Sequence, residues 1–383
     1  MARNNLRLAA VLVSATIVLA ACSSTSASTS SQSSRAAASH SVSPAVLTHT
    51  FPWGKFTLAP RIVAKLKSGA KINIVDNIDG TAIPIQGSEM KIGMMRGCAK
   101  EQSVLPINCQ LTGPVTTNVS AQLAQLQTLL NGNQVDCLGL QSPLPDQYVN
   151  IINKYVAAGI PVFTFNNDVP NSHRFAFYAL NELKAGFANG KVTAELVKSK
   201  GLHVDTIAMG SGAPSAPWAQ ERMAGFEQGY KSVFPNAKFF NNSKSGIPTG
   251  NDFTTQEVLN SVGPFLQAHP NVNLFFSTDQ GVEGVGLIIK NHNLSGKVWT
   301  SGFNVSAPIL SSISAGNTLV TVDQGFDYQA EAPVTACVNY LTSGKVPSNP
   351  LQYIKPIVVT KSGGAGLQSV TAAESRLKQA TTS

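Results

Sequence analysis

The chain has 383 residues, 28 Lys+Arg against 20 Asp+Glu, a formal charge of +8 and five cysteines. Its positive charge sits on scattered lysines with no basic run, no aromatic nucleic-acid motif and no Cys/His zinc framework, so nucleic acid and a structural metal drop out as partners. Once a leader and linker are set aside, roughly 340 residues remain, enough for two domains with substantial cores.

The first element is Met1, Arg3 and Arg7 followed by an apolar run from Leu8 to Ala21, 14 residues long. A basic start and a run too short to span a bilayer predict a signal peptide over 1–21. Leu19-Ala20-Ala21-Cys22 resembles the bacterial lipoprotein cleavage motif, which implies that Cys22 becomes a lipid-bearing N-terminus. Removing Arg3 and Arg7 lowers the charge from +8 to +6. The Ser/Thr/Ala-rich stretch after Cys22 has no periodic apolar face and predicts a lipidated, flexible tether over 22–43. With about 0.8 kcal/mol per buried methylene, more than one acyl chain would hold the body firmly at the outer face of the cell membrane.

The remaining four cysteines suit an oxidising compartment. Of their three possible pairings, Cys98 with Cys109 and Cys137 with Cys337 is favoured, because Cys98 and Cys109 flank a short polar segment.

Residues 44–90 hold Phe51-Pro52-Trp53-Gly54, a helix candidate at Arg61–Leu66 and a strand candidate at Ile72–Val75, and are expected to be an N-terminal arm packed on the first lobe. From there the pattern alternates. Lys91–Met95 reads as a strand, Val119, Leu123, Leu126 and Leu130 mark a helix, Val135–Leu140 a strand, Tyr148–Val156 a helix, and Ile160–Phe165 a strand. A second set runs through a helix at Asn181–Leu196, strand Val204–Met209, helix Trp218–Val233, strand Ala237–Phe240 and helix Thr254–Leu266. It continues with strand Val272–Ser277, helix Gly281–Lys290, strand Lys297–Ser301 and a last helix at Tyr328–Leu341. Tyr353–Thr360 returns the chain across a hinge, and the Ser/Thr/Ala/Lys-rich stretch after Gly363 reads as a flexible tail. Short apolar strands alternating with amphipathic helices imply α/β lobes with parallel sheets and right-handed crossovers.

Several segments then converge. Gly159-Ile160-Pro161-Val162 with Phe163-Thr164-Phe165-Asn166-Asn167-Asp168, Arg222-Met223-Ala224-Gly225-Phe226, Ser277-Thr278-Asp279-Gln280, Gly302-Phe303-Asn304 and Val320-Thr321-Val322-Asp323-Gln324 occur in the order seen in the ribose/galactose-binding superfamily. The resemblance covers about 90 to 360. It implies two Rossmann-like lobes joined by a three-segment hinge, the type I periplasmic binding protein fold, with lobe 1 at 91–180 and 325–352, lobe 2 and hinge at 181–324 and 353–363, and the tail at 364–383. It also implies a monomeric substrate-binding lipoprotein that delivers its ligand to an ABC permease served by a separate ATPase.

The residues themselves agree. In parallel sheets the strand C-termini surround a shared crevice, and Asn166, Asn167, Asp168, Asp279, Asn304 and Gln324 follow such ends, with Arg222 and Trp218 beside them. Carboxylates accept, a guanidinium donates from a rigid fork, and amides do both, which matches the hydroxyls of a monosaccharide. Phe165, Trp218 and Phe303 are candidates to stack on a sugar face, Phe165 and Phe303 fitting a core role better. By the resemblance, Asn166 and Asn167 stand where an acidic residue and an arginine are frequent, and Asn304 stands for an aspartate, so the ligand's identity is left open. A nucleoside, a polyol, a signalling furanose, or a sensory or structural envelope role remain alternatives. Gly210-Ser211-Gly212 and the glycines at 281, 284 and 286 lack a nucleotide-binding context, and no nucleophile stands at an interpretable spacing from a base, so no enzyme activity and no cofactor are expected. Closure about crossings near Leu180, Gln324 and Tyr353 is the expected mechanism.

Overall fold

The structure, a computed structural model, describes residues 41–382 apart from 84, 251 and 252. The expected signal peptide, Cys22 and nearly all of the tether lie outside the described residues.

Apolar runs without alternation fold as strands covered on both faces. Six of them make a wholly parallel sheet in the order Leu351–Ile354, Ala176–Leu180, Val162–Phe165, Cys137–Leu140, Ile72–Asn77, Ile107–Thr112. The second sheet has a parallel body of Thr318–Asp323, Trp299–Phe303, Val272–Ser277, Thr206–Ser211 and Ile247–Pro248. Ile357–Thr360 joins it antiparallel to Thr318–Asp323, and Leu367–Ser369 and Ser362–Gly364 extend that edge. Each sheet has its own apolar core, with Phe163, Tyr155 and Tyr340 in one and Phe226, Phe276 and Phe303 in the other. The chain passes between lobes three times: from Leu180 into helix Glu182–Lys200, from Asp323 into helix Phe326–Ser343, and from Ile354 to Ile357. These are two α/β lobes on a three-segment hinge.

Four expectations are corrected. Residues 44–90 are no added arm, because Ile72–Asn77 lies inside the first sheet, between Cys137–Leu140 and Ile107–Thr112. The hairpin Thr48–Phe51/Gly54–Thr57 is appended outside this sheet, and its aromatic rings pack on Phe175 and Tyr340. Lys91–Met95 is not a strand but the middle of helix Gln86–Glu101, whose buried face is Met90, Gly93, Met94, Gly97, Cys98 and Glu101 at helical spacing. Ala237–Phe240 contributes a single bridge, Ile207 to Phe239, and no strand. The segment 364–383 is no flexible tail, since Leu367–Ser369 pairs in the sheet and Val370–Thr382 is a helix.

Close helix packing positions several polar groups. Helices Glu182–Lys200 and Pro217–Lys231 meet through glycine: a Cβ at Gly186 would stand 2.2 Å from the Arg222 carbonyl oxygen, and one at Gly225 2.1 Å from that of Leu183. That approach lets Glu182, at the start of one helix, reach Arg222 on the other. Cys98–Cys109 ties helix Gln86–Glu101 to strand Ile107–Thr112, and Cys137–Cys337 ties strand Cys137–Leu140 to helix Phe326–Ser343.

The C-terminal helix carries a latch across a hinge segment. Arg376 pairs with Asp323, at the end of a lobe 2 strand, and with Asp327, in the first turn of the lobe 1 helix. Arg96 also pairs with Asp327 at 2.8 Å, and Tyr328 lies between the two guanidinium groups, 5.0 and 5.1 Å from its ring. Burial, reinforced by Asp323, pushes Glu89 beside them up to about 8, with Arg376 opposing. Without Arg376 the Glu89 and Asp323 carboxyls rise further, so keeping them ionised costs more as pH rises. Arg376→Ala is therefore expected to lose about 3 kcal/mol or more at pH 8 and distinctly less near pH 5.5, as read by thermal unfolding at the two pH values. Equal losses at both would show that the cation is not what holds this cluster together.

Candidate functional site

The parallel strands of both lobes end at one cavity of about 590 Å³. Strand C-termini supply its polar lining, as open α/β sheets require. From lobe 1 come Asp79 beyond Ile72–Asn77, Thr117 beyond Ile107–Thr112, Gln141 beyond Cys137–Leu140, and Asn166 and Asn167 beyond Val162–Phe165. From lobe 2 come Gly212 beyond Thr206–Ser211, Asp279 and Gln280 beyond Val272–Ser277, Asn304 beyond Trp299–Phe303, and Gln324 beyond Thr318–Asp323. Arg222 and Trp218 reach it from helix Pro217–Lys231, and Gln86 and Phe326 from two lobe 1 helices.

Asn166 and Asn304 occupy matching places in the two lobes, each directly after a strand that ends in phenylalanine. Both adopt the left-handed conformation, φ 65° and 78°, which asparagine tolerates better than most residues. The Asn166 N–H donates to the Tyr178 carbonyl and the Asn304 N–H to that of Val322, so turn formation and cavity lining coexist at both. Their side chains join a hydrogen-bonded chain across the crevice. Gln141 Nε2 donates to Asn166 Oδ1 at 3.4 Å, Asn166 Nδ2 to Gln329 Oε1 at 3.2 Å, and Gln329 Nε2 to the Gln324 carbonyl at 3.0 Å. Gln324 Nε2 donates to Asn304 Oδ1, and Asn304 Nδ2 to Gln280 Oε1 at 3.2 Å. Behind Gln141, Gln122 Nε2 donates to the Gln141 carbonyl and to Asn77 Oδ1, both at 2.9 Å, and the Tyr148 hydroxyl donates to Gln122 Oε1. A connected network of this kind, buried behind Gln141 and part-buried where it crosses the crevice, holds the lining in one geometry.

Arg222 is the hub of the lobe 2 wall and only 3% exposed. Its Nε donates to Glu182 at 2.6 Å, Nη1 to the Thr278 carbonyl at 2.8 Å and Nη2 to Gln324 Oε1 at 2.6 Å. The guanidinium lies over Phe303 at 4.3 Å and beneath Trp218 at 4.9 Å, an arrangement favourable for cation–π attraction.

Of the eight expected ligand residues, the structure brings seven to the cavity. Asp168 is the exception: its carboxylate faces Arg174 in a two-point pair, 2.5 Å at Nη2, and accepts from the Val169 N–H at 2.8 Å, so it shapes the turn instead. Asp279 lines the wall, yet its oxygens already accept from Gly212 N–H at 2.8 Å, Gly281 N–H at 2.9 Å, Ser211 at 3.0 Å and Thr278 at 3.1 Å. It ties two loops together more than it offers a free acceptor. Phe165 and Phe303 are fully buried in the cores.

Asp79 is the acidic group that sequence reasoning missed. It is 6% exposed, and Gln86 Nε2 donates to its Oδ1 at 3.0 Å while its own N–H donates to Gln141 Oε1 at 2.8 Å. Burial pushes its carboxyl up to about 6, with the Gln141, Gln86 and Thr117 side chains pulling the other way. A carboxyl raised in the folded state binds protons more tightly there than in the unfolded chain. Stability therefore falls as pH rises from the ordinary 3.8 toward 6, by up to about 3 kcal/mol. Asp79→Asn is expected to remove that part of the pH dependence, seen as a flatter melting-temperature profile between pH 4 and 6 than wild type; parallel profiles would refute the shift.

Among the described residues no cluster of His, Cys, Asp and Glu is arranged to hold a metal ion. The lining is a set of mixed donors and acceptors beside half-buried apolar groups, suited to holding an uncharged polar molecule.

Comparison with known proteins places these features. The periplasmic binding protein domain family matches residues 80–345. A glucose-galactose binding protein from Geobacillus stearothermophilus has a similar structure, TM-score 0.65 at 21% identity, covering 76% of this chain and 98% of that one. So does an ABC transporter solute binding protein from Burkholderia graminis in complex with D-arabinose, TM-score 0.66 at 20% identity over 76% and 96%. A carbohydrate transporter from Acidothermus cellulolyticus in complex with myo-inositol reaches 0.65 at 17% identity over 81% and 99%. At these identities the likeness shows the fold, which is that of type I periplasmic binding proteins. No curated protein sequence matches the chain.

Proposed function

The chain belongs to the periplasmic binding protein domain family, and from that premise we propose that it is an extracytoplasmic substrate-binding lipoprotein of the ribose/galactose-binding type. It takes a monosaccharide or related small polyhydroxy compound between its lobes and passes it to an ABC permease driven by a separate ATPase. The observation that carries this reading is the cavity itself, in which both lobes present amides at strand C-termini, lobe 1 adds the Asp79 carboxyl, and Arg222 is already satisfied by its own partners. Such a lining pairs hydroxyls without demanding a charged ligand. Structurally similar proteins described with arabinose or myo-inositol support the same class of compound. A ligand touching both lobes favours the closed state through the three hinge segments. Lipid on Cys22, with the Ser/Thr-rich stretch as tether, would hold the body at the outer face of the cell membrane, where the permease awaits it.

A thermal-shift panel of pentoses, hexoses, polyols and nucleosides tests the binding reading; no stabilisation by any of them would overturn it. Because Asp79 accepts best when ionised, the affinity for a hydroxyl ligand should fall about tenfold from pH 7 to pH 5 and lose that dependence in Asp79→Asn. Metabolic labelling with palmitate, compared between wild type and Cys22→Ala, tests the anchor.

A further inference from the structure

The cavity lining divides by burial. Its floor is polar, with Asp79, Gln141, Arg222, Asp279 and Gln324 each no more than 6% exposed. Its mouth is mixed: an apolar patch of Ile83, Val119 and Leu144 from lobe 1 and Pro214, Trp218 and Phe253 from lobe 2, all half-buried or exposed, stands beside half-buried Asn167 and Gln280 and exposed Thr117 and Ser215. Trp218 does not hang free there. The Arg222 guanidinium lies 4.9 Å from its ring and Phe253 stands 6.4 Å away at a tilt of 38°. The mouth therefore has a wall held in place by contacts within the protein.

A polyhydroxy ring finds its hydrogen-bond partners on the floor, where Asp279 and much of Arg222 are already committed. An unsubstituted sugar seated there makes no contact with the apolar patch at the mouth. A volume of about 590 Å³ falls within the range of roughly 300–1,000 Å³ found for sites that bury drug-sized ligands. We infer that the ligand is a glycosyl compound carrying a planar apolar substituent, an aryl glycoside or a nucleoside, with its sugar on the polar floor and its aromatic group between the apolar faces of the two lobes. This inference rests on the sugar-binding reading above and narrows it.

Isothermal titration of the full chain tests it, with D-glucose, D-galactose, D-xylose, L-arabinose and D-ribose each set against its p-nitrophenyl glycoside, and D-ribose also against adenosine and inosine. For the sugar that binds, the aromatic derivative should bind at least about tenfold tighter, as burial of one ring's apolar surface implies. A gain confined to nucleosides identifies an N-linked heterocycle, and one confined to the p-nitrophenyl series an O-linked aryl group. In Trp218→Ala and in Phe253→Ala the ratio of the two dissociation constants should move toward one, a comparison made within each variant and so independent of any general loss. If the free sugar binds as tightly as its derivatives, or if both variants keep the full ratio, the inference falls while the sugar reading stands. If neither free sugars nor derivatives bind, the sugar reading itself falls.

Discussion

Replacing Cys137 and Cys337 together by alanine is expected to lower stability by about 5 kcal/mol, against about 3 kcal/mol for the Cys98/Cys109 pair, on the chain-entropy account of loop closure. The difference comes from loop length: the first bond joins residues separated by 200 positions, the second by 11. The long loop contains the whole of lobe 2's parallel body, so the bond restrains the unfolded chain across the crossings from Leu180 and from Asp323. Both sulfurs of the long pair are also fully buried, at 0% exposure, so their loss leaves unfilled space in the first core. For a folded body of about 340 residues, at about 2.1 cal/mol/K of unfolding entropy per residue, the larger loss corresponds to roughly 7 °C in melting temperature. Calorimetry of the two double variants, side by side, decides the point; an equal or reversed order would rule out loop closure as the source of the difference. Both bonds need an oxidising compartment to form, so this loss and the proposed export belong together.

Much of the fold could be read from local pattern, and the failures have local causes. Helix Val119–Asn131 announces itself through Val119, Leu123, Leu126 and Leu130, which pack on the core at helical spacing although Gln122 is buried among them, and strand Val272–Ser277 through its buried apolar run. Helix Gln86–Glu101 does not, because glycines at 93 and 97 occupy much of its buried face and blur the periodicity. Those glycines face the helix Phe326–Ser343, with a Cβ at Gly93 falling 1.9 Å from the Asp327 carbonyl oxygen, a contact no local window reveals. With that helix read as the first strand, Ile72–Asn77 falls into an arm and Asp79 falls with it. The rule that polar residues after strand ends line the crevice was sound, and Asp79 would have been found by it had the strand been given its place. What the rule lacks is any knowledge of partners. Asp168 and Asp279 follow strands as Asp79 does, but Arg174 holds the first away from the cavity and five nearby donors tie the second into its loops. The C-terminal helix was unreadable for a similar reason. Its attachment is Arg376, reaching Asp323 and Asp327, with two small buried side chains, Val370 and Ala373, and the sequence around Arg376 is otherwise that of a solvated end.

Arg222→Ala is expected to abolish measurable binding of whichever sugar stabilises the wild type, and to cost about 3–5 kcal/mol of stability besides. The stability loss follows from Glu182, 9% exposed, which would keep its charge in the interior without the Nε donor at 2.6 Å. The binding loss follows from Gln324 and Trp218. Gln324 Oε1 loses its donor at 2.6 Å, and Trp218 loses the cation beneath its ring at 4.9 Å. Lysine at this position is no rescue, because a point charge cannot serve Glu182, the Thr278 carbonyl and Gln324 in three fixed directions. The two effects can be separated by removing both charges. Arg222→Met combined with Glu182→Gln should recover most of the melting temperature, since a buried ion pair replaced by neutral groups of similar size is close to neutral or better. It should not recover affinity, because Gln324 and Trp218 still lack what held them. Recovery of binding along with stability would mean that Arg222 serves only to keep Glu182 neutralised. Recovery of neither would mean that its stacking on Phe303, at 4.3 Å, matters more to the lobe 2 core than the ion pair does.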